Sequence, residues 1–462
     1  MVGHLLITAI PLAAATLAAL LAAWRRWAPP LAVALAAGIA LRLFIAAVAV
    51  EDRAQPIDFM YQFTAAIQAV LHHQDPLQLP NAQWHFLPAM AYVNVAEYKL
   101  GYLIHLPWQF TGRIAPVTAD IVLIPLAGLL AGTGGRRHRA ALQYALNPIA
   151  VLISAVHAQI EPVALAFGVA ALIVARRARA VPAPQPDPPA PQPDSAVRGA
   201  DPLAQRPGFR ARQARWSPLA VQVSGALLGM AIAINSWPAL LIPGLLRALP
   251  TWRARLAAMA WTAGIPLLFL GTGPFVIGYP ARLLASDIHE LATVRGVIGD
   301  WGWTAIVTGG NETIGPYWAQ RGILILIVVL LAVWYLWRHA HPADLIAALC
   351  LAFLAGTDRL GDQYLLWPVP WQAARPTRGT WIWFVLGGAW SAAGELWLAH
   401  APNGIAWHFM HQPWAYSSLA VLPFLVLAMP WRRRAASRVT AGTSGDGERA
   451  SAPPASYTAP TT

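Results

Sequence analysis

Side chains suited to acid–base or phosphate chemistry stand in a few short stretches of this chain. Asp58 opens the segment Asp58-Phe59-Met60-Tyr61, with Glu51 and Asp52 close before it. His157, Gln159 and Glu161 alternate in a short polar turn between apolar runs, and Arg359 stands just ahead of Asp362 and Gln363. His289, Glu290 and Arg295 lie in another polar stretch. A carboxylate such as Asp58 suits removal of a hydroxyl proton, a general-base contribution of about 10²–10⁴ in rate. An arginine steadied by an aspartate suits a phosphate, because the guanidinium is planar, permanently charged and rich in donors. His289 and Glu290 would assist proton transfer or hold a phosphate.

Each of these stretches has a plainer reading. Asp58 would cap the helix that follows it, and Glu51 and Asp52 would end the preceding apolar run. With a spacing of two, His157, Gln159 and Glu161 share one face only if their turn is extended; otherwise they are hairpin polar residues. Arg359 with Asp362 would be an interfacial ion pair. Asp120 reads as a packing residue more than a chemical one. No His, Cys, Asp or Glu spacing demands an ion, so neither a metal nor another cofactor is expected.

The elements that must position these groups are membrane helices. Hydrophobic residues make up 57% of the 462 positions and charged residues 11%, against roughly 25% charged in soluble domains. The apolar runs lie near 4–23, 30–50, 115–132, 140–156, 162–176, 218–234, 238–248, 256–274, 322–337, 343–357, 361–373, 380–399 and 415–430. They read as an all-α, polytopic membrane protein of about thirteen passes, eleven at the fewest. The runs at 238–248 and 361–373 are short and interrupted by proline, which suits re-entrant segments. Most of the 22 tryptophans read as interface anchors.

Arginines test that map. Arg25 and Arg26, the trio Arg136, Arg137 and Arg139, then Arg176, Arg247, Arg338, Arg375 and Arg432 all follow odd-numbered passes. The positive-inside rule makes their side cytoplasmic, with the N-terminus outside and the C-terminus inside. The net charge of +12 then reports topology and not nucleic-acid binding. The single cysteine, Cys350, excludes a disulfide framework. No cleavable signal peptide is evident. High Ala, Arg, Pro and Trp usage suits a bacterial cytoplasmic membrane protein.

Residues 1–430 read as one transmembrane domain. Residues 180–216, with the run PAPQPDPPAPQPD, read as a disordered cytoplasmic loop, and 431–462 as a disordered tail. Segments 51–114 and 279–321 are long outer loops, the first too aromatic for a linker. Within it, 57–71 has an amphipathic pattern that sets Ile57, Met60, Tyr61, Ala65, Val70 and Leu71 against Asp58, Gln62 and Gln68. Most of the acids outside the cytoplasmic segments, Glu395 among them, fall at the outer face with Lys99, Arg113, His157 and several aromatic rings. Ionisable groups near membrane depth point to function.

Ordered along the chain, Ile57-Asp58-Phe59 with Tyr61, Ala119-Asp120-Ile121, ALNPIAVLISAVHAQIEP at 145–162, GALLGMAIAINSWPALLIPGLL at 225–246, Gly299-Asp300-Trp301-Gly302 and Gly361-Asp362-Gln363-Tyr364-Leu365-Leu366-Trp367-Pro368 carry a resemblance. The chain resembles the GT-C superfamily of polyprenyl-phosphate-sugar-dependent glycosyltransferases, especially its bacterial mannosyltransferase-like branch, as a pattern over most of 30–430. The resemblance implies an inverting enzyme. Its partners would be a polyprenyl-phosphate-linked sugar donor, a glycan or glycolipid acceptor and the lipid bilayer, with no nucleic acid. Asp58 would be the catalytic base, and His157, Gln159, Glu161, His289, Glu290, Arg295, Arg359, Asp362 and Gln363 would bind substrate. Mannose is the family-level expectation; arabinose and glucose stay open.

Two departures matter. Asn235-Ser236-Trp237 stands where relatives often carry a lysine, which leaves Arg359 or Arg295 to hold the donor phosphate, and an extra pass precedes the usual first one. The readings from other classes are a polytopic transporter or lipid flippase, although no internal repeat is evident, and a non-enzymatic membrane partner of an envelope complex.

Overall fold

The computed structural model describes residues 2–52, 54–56, 58–79, 84, 86–178, 217–293, 302–308, 315–358, 360–398 and 413–431. All regular structure among them is helical. The expectations for the 180–216 loop, the tail after Trp431, Arg295, Arg359 and Gly299-Asp300-Trp301 lie outside the described residues.

Four helices are long and apolar enough to cross a membrane: Leu5–Trp24, Leu31–Val50, Trp108–Ala131 and Trp252–Ile277. A fifth is formed if Gly135–Ala145 and Pro148–Val156, bent by 50° at their junction, make one broken span. These long apolar helices support a multi-pass membrane protein, but by length and composition they are far fewer than the thirteen passes expected. Proline and chain geometry account for part of the difference. The run at 238–248 divides into a tight turn, Trp237–Leu241, and a short helix, Ile242–Ala248. The run at 361–373 divides in the same way into Asp362–Leu366 and Val369–Ala374. A helix of that length covers roughly 10 Å of a hydrocarbon core about 30 Å thick.

Helix starts follow local chemistry. Proline occupies the first turn at Pro88, Pro148, Pro162, Pro218 and Pro342, where its missing N–H costs nothing. In the Asn-Pro stretch, the Asn147 side chain accepts from Ala150 N at 3.1 Å and caps the helix beginning at Pro148. That cap makes the bend after Ala145 and sends Pro148–Val156 toward the candidate site.

The main core is built from the inner faces of Ile114–Ala131, Glu161–Arg177, Pro218–Ile234, Pro342–Gly356 and Arg378–Ala392, with Leu123, Leu165, Leu228, Leu349 and Trp383 all buried. A second cluster packs the long segment after Val50 onto the ends of two of these helices, joining Phe59, Phe63, Ile67 and Trp84 to Ile160 and Ile234. The described residues of 51–114 are therefore structured. Their apolar face differs from the expected one. Phe59, Phe63, Ala66 and Ile67 are buried, while Tyr61 is 71% exposed. A wide π-helical turn at Asp58–Gln62 precedes the α-helix Phe63–Leu71, and its extra residue shifts the register of everything before Phe63. The tryptophans also divide. Trp24, Trp27 and Trp252 are exposed, as interface anchors would be, but Trp84, Trp337, Trp371 and Trp383 are fully buried core residues.

Helix contact through small residues is closest where Pro218–Ile234 meets Trp252–Ile277. A Cβ on Gly225 would lie 2.3 Å from the Ala258 carbonyl oxygen, and Thr262 Oγ1 donates to the Gly225 carbonyl at 3.1 Å. Backbone must then separate to admit a methyl group, so Gly225→Ala is expected to destabilise by about 1–3 kcal/mol. Gly264 has nothing within 4 Å of the same construction, and Gly264→Ala should be neutral or gain up to ~1 kcal/mol from helix propensity. Thermal unfolding of the two variants in one detergent checks the contrast.

Candidate functional site

The turn after Pro148–Val156 centres the site. Residues Leu152–Val156 form a π-helical turn, and Ala158 then adopts a left-handed conformation with φ 59°. The turn is thus a tight reversal and not the extended segment that would put side chains two apart on one face. Reversal at Ala158 places His157 and Gln159 together by another route: Gln159 N reaches back to Ile153 O at 3.1 Å, and both side chains turn toward Asp58. A non-glycine residue in this region costs of order 1–3 kcal/mol, and such residues collect at functional sites.

Four separate segments converge. Gln159 Nε2 donates to Asp58 Oδ2 at 3.0 Å and lies 2.9 Å from His157 Nε2. His157 Nε2 is 3.8 Å from Asp58 Oδ2. On the other side of the ring, His157 Nδ1 is 2.5 Å from Glu395 Oε1 and 3.9 Å from Asp362 Oδ1. Ser391 Oγ donates to Asp362 Oδ2 at 3.3 Å, and the Gln363 backbone N–H donates to Asp362 Oδ1 at 2.9 Å. Glu161 begins the next helix, buried and within electrostatic reach of His157 and Asp58. Asp58 has the most accessible side chain of the group, 31% exposed against 11% for His157, 9% for Glu395 and 7% for Asp362. It is the carboxylate that a molecule arriving from solvent would meet.

Among the described residues, π-helical turns occur at Asp58–Gln62, Leu152–Val156 and Ala393–Trp397, and each supplies or delivers a member of this cluster. One inserted residue interrupts the regular helical hydrogen bonding and lets a side chain project where an α-helix would not place it. Aromatic stacking fixes the supports. Trp237 stacks on Trp367 with centroids 4.3 Å apart, tying the Asn235-Ser236-Trp237 break to the segment that carries Asp362. Trp390 stacks on Trp414 at 4.6 Å, with each indole N–H donating to the other's carbonyl, beside Glu395. Arg113 donates to the carbonyls of Ala155 and Val156, both at 2.9 Å. It satisfies the open end of the π turn, and its guanidinium carbon lies 4.7 Å from the centre of the Phe59 ring. It thereby holds both the His157 turn and the Asp58 turn.

Electrostatics decide the proton on His157. Burial alone would disfavour its charged form, but the Glu395 carboxylate, with Asp58 and Asp362, outweighs that and raises the imidazole well above its usual value. An imidazolium donates from both nitrogens. Gln159 must then turn its amide oxygen toward Nε2, which withdraws the N–H bond from Asp58 Oδ2. Protonation of His157 and release of Asp58 are therefore linked through one amide.

Asp58, His157, Gln159 and Asp362 are brought into contact, with Glu161 and Gln363 beside them. Expected substrate residues His289 and Glu290 lie instead on Leu284–Thr293, a helix held to the 75–78 turn. There, Gln78 Nε2 donates to Asp287 Oδ1 at 3.0 Å, and Ser286 Oγ donates to Gln78 Oε1 at 3.2 Å. Asp120 is no part of the cluster; it is buried against Arg42. Glu395 and Arg113 were legible only as outer charges and were not assigned to the site. The available signal for Glu395 was a lone acid in the apolar run WSAAGELWL. The ligand atoms of His157, Asp362 and Glu395 all lie within 4.8 Å of one another, so this trio could hold a divalent cation. Sequence spacing does not reveal such a set, because its members come from three segments.

The contact between the 75–78 turn and Leu284–Thr293 carries its own titration. Burial first, then hydrogen bonding and proximity to Asp287, push the Asp75 carboxyl from 3.8 up to about 7, against a lowering bond from Leu77 N. Because the folded-state value is raised, this stabilisation is complete below about 4 and is lost as pH rises through about 7. Hydrogen exchange of 281–293 is expected to quicken between pH 5 and pH 8 beyond the intrinsic pH effect, and Asp75→Asn should remove that excess.

No family model matches the chain, and no curated protein is similar to it.

Proposed function

We propose that the chain is an inverting glycosyltransferase that moves a sugar from a polyprenyl-phosphate carrier to a hydroxyl acceptor at the extracytoplasmic membrane face, with a GT-C-like arrangement of helices. The observation that carries the reading is the convergence of Asp58, His157, Gln159 and Asp362, all named from sequence as parts of one site, with the most accessible carboxylate at the position of the base. Asp58 takes the acceptor's hydroxyl proton as the oxygen attacks the anomeric carbon. The bond from that carbon to the phosphate oxygen breaks, and polyprenyl phosphate leaves with the electron pair. A single displacement inverts the configuration. Gln159 donates to Asp58 and orients it while His157 is neutral, and protonation of His157 between Glu395 and Asp362 releases Asp58 from that bond. Arg359, three positions before Asp362, is the proposed partner of the departing phosphate. The sugar is mannose on the family-level expectation.

The second reading is a proton-coupled transporter or flippase, which buried carboxylates around a histidine also suit. A panel of polyprenyl-phosphate sugars incubated with the purified protein separates the two. Consumption of one donor with appearance of free polyprenyl phosphate supports the transferase. Movement of an unaltered donor across proteoliposomes, with none consumed, supports the transporter.

A further inference from the structure

A cavity of about 620 Å³ opens at the other end of the helices that hold the candidate site. Its wall includes Arg26, Arg136, Arg139 and Arg375, together with Gln143 and Trp381. Ala131, the last residue of Ile114–Ala131, also lines it, while Arg113 at the start of that helix supports the His157 turn. Eighteen residues of helix at 1.5 Å each separate the two places by roughly 27 Å, so the cavity is no extension of the acidic cluster.

Its charge is one-sided. Arg375 pairs with Asp344 through Nε at 2.7 Å and Nη2 at 2.8 Å. No carboxylate among the described residues forms a comparable pair with Arg26, Arg136 or Arg139. Three cations from the ends of two different helices therefore border one space without a counter-ion among the described residues. Gln143 adds an independent sign of a ligand. It is 4% exposed, its amide N–H donates to Ala19 O at 2.9 Å, and its buried carbonyl oxygen has no partner. A buried acceptor without a donor costs about 1–3 kcal/mol. The volume falls within the roughly 300–1,000 Å³ range of small-molecule sites. Loops that only obey the positive-inside rule need neither a cavity nor a buried orphan acceptor.

We propose that this cavity binds a phosphoryl anion that also carries a hydroxyl, of the glycerol-phosphate kind: the anion meets Arg26, Arg136 and Arg139, and the hydroxyl donates to Gln143 Oε1. The same chemistry is offered by the headgroup of phosphatidylglycerol and by free glycerol 3-phosphate. Binding is independent of any sugar transfer at Asp58.

The test titrates the full chain, in a neutral detergent, with dihexanoyl phosphatidylglycerol, glycerol 3-phosphate and dihexanoyl phosphatidylcholine, and reads bound ligand by native mass spectrometry. Saturable binding of the first or second compound, at least tenfold tighter than of phosphatidylcholine and weakened at least tenfold in Arg136→Gln/Arg139→Gln, is the expected result. Binding of the first alone assigns a lipid headgroup, and binding of the second assigns a soluble phosphate. Arg26→Gln, at an exposed position after the first helix, is expected to weaken binding several-fold and serves if the double variant does not fold. The proposal is overturned if neither phosphate binds, if phosphatidylcholine binds equally well, or if folded arginine variants bind as the parent does.

Discussion

Asp58→Asn is expected to lower sugar transfer by about 10²–10⁴, the usual contribution of a general base, while donor binding changes by less than about threefold. The amide has nearly the shape of the carboxylate, and its oxygen still accepts from Gln159, which donates to Asp58 Oδ2 at 3.0 Å. What it lacks is the ability to take the acceptor's proton. Asp362 and Glu395 are poor substitutes, because they lie on the Nδ1 side of the imidazole, away from Asp58, and are far less accessible. Steady-state kinetics with the preferred donor, together with a binding measurement on the same preparation, separates the two effects. Transfer within about threefold of the parent would remove Asp58 from the role of base.

The largest effect on stability is expected at Asp120. Its carboxylate and Arg42 are both fully buried, with Arg42 Nε 2.7 Å from Asp120 Oδ2. Tyr144 OH and Ser154 Oγ donate to the same carboxylate, and Arg42 Nη1 also donates to Ala145 O. This network ties Leu31–Val50, Ile114–Ala131, Gly135–Ala145 and the π turn before His157 into one unit. Asp120→Ala leaves a guanidinium buried without its counter-ion and the Tyr144 hydroxyl without its acceptor, while Ser154 Oγ keeps the Ala150 carbonyl. Breaking a buried pair from one side costs about 3–5 kcal/mol. Arg42→Met combined with Asp120→Leu removes both charges, and replacing a whole buried pair by apolar groups is often close to neutral. Thermal unfolding in detergent should place the double variant well above Asp120→Ala. A double variant no more stable than the single one would contradict this account of the network.

The parts of the site that could be read from sequence were those fixed by local chemistry. Asn147-Pro148 is the exception: the expected pass at 140–156 runs straight across it, whereas a new helix starts at Pro148. The alternation of His157 and Gln159 before a new apolar run reads as a polar turn, and the turn is there. Asp58 stands out as an acid opening an aromatic segment, and it meets that turn. The remainder depended on backbone events that leave no periodic trace. A π turn adds one residue to a helical turn, so the apolar spacing before Phe63 marked the wrong face and exposed Tyr61. Ala158 gives no hint of its positive φ, since glycine or asparagine would be the usual sign. Glu395 lies far along the chain from His157, and packing brings it there, through Leu396 against Val151, Leu152 and Ala155 and through the Trp390–Trp414 pair. Hydropathy marked apolar stretches reliably but not their lengths as helices. Prolines at 238 and 368 divide runs that composition alone joins into passes.

The most direct test is NMR of the anomeric carbon in the product formed by the purified chain in proteoliposomes, supplied with a polyprenyl-phosphate sugar of known anomeric configuration and a hydroxyl acceptor. Transfer with the opposite configuration is the expected result. Retained configuration, or no transfer from any donor tried, would contradict it.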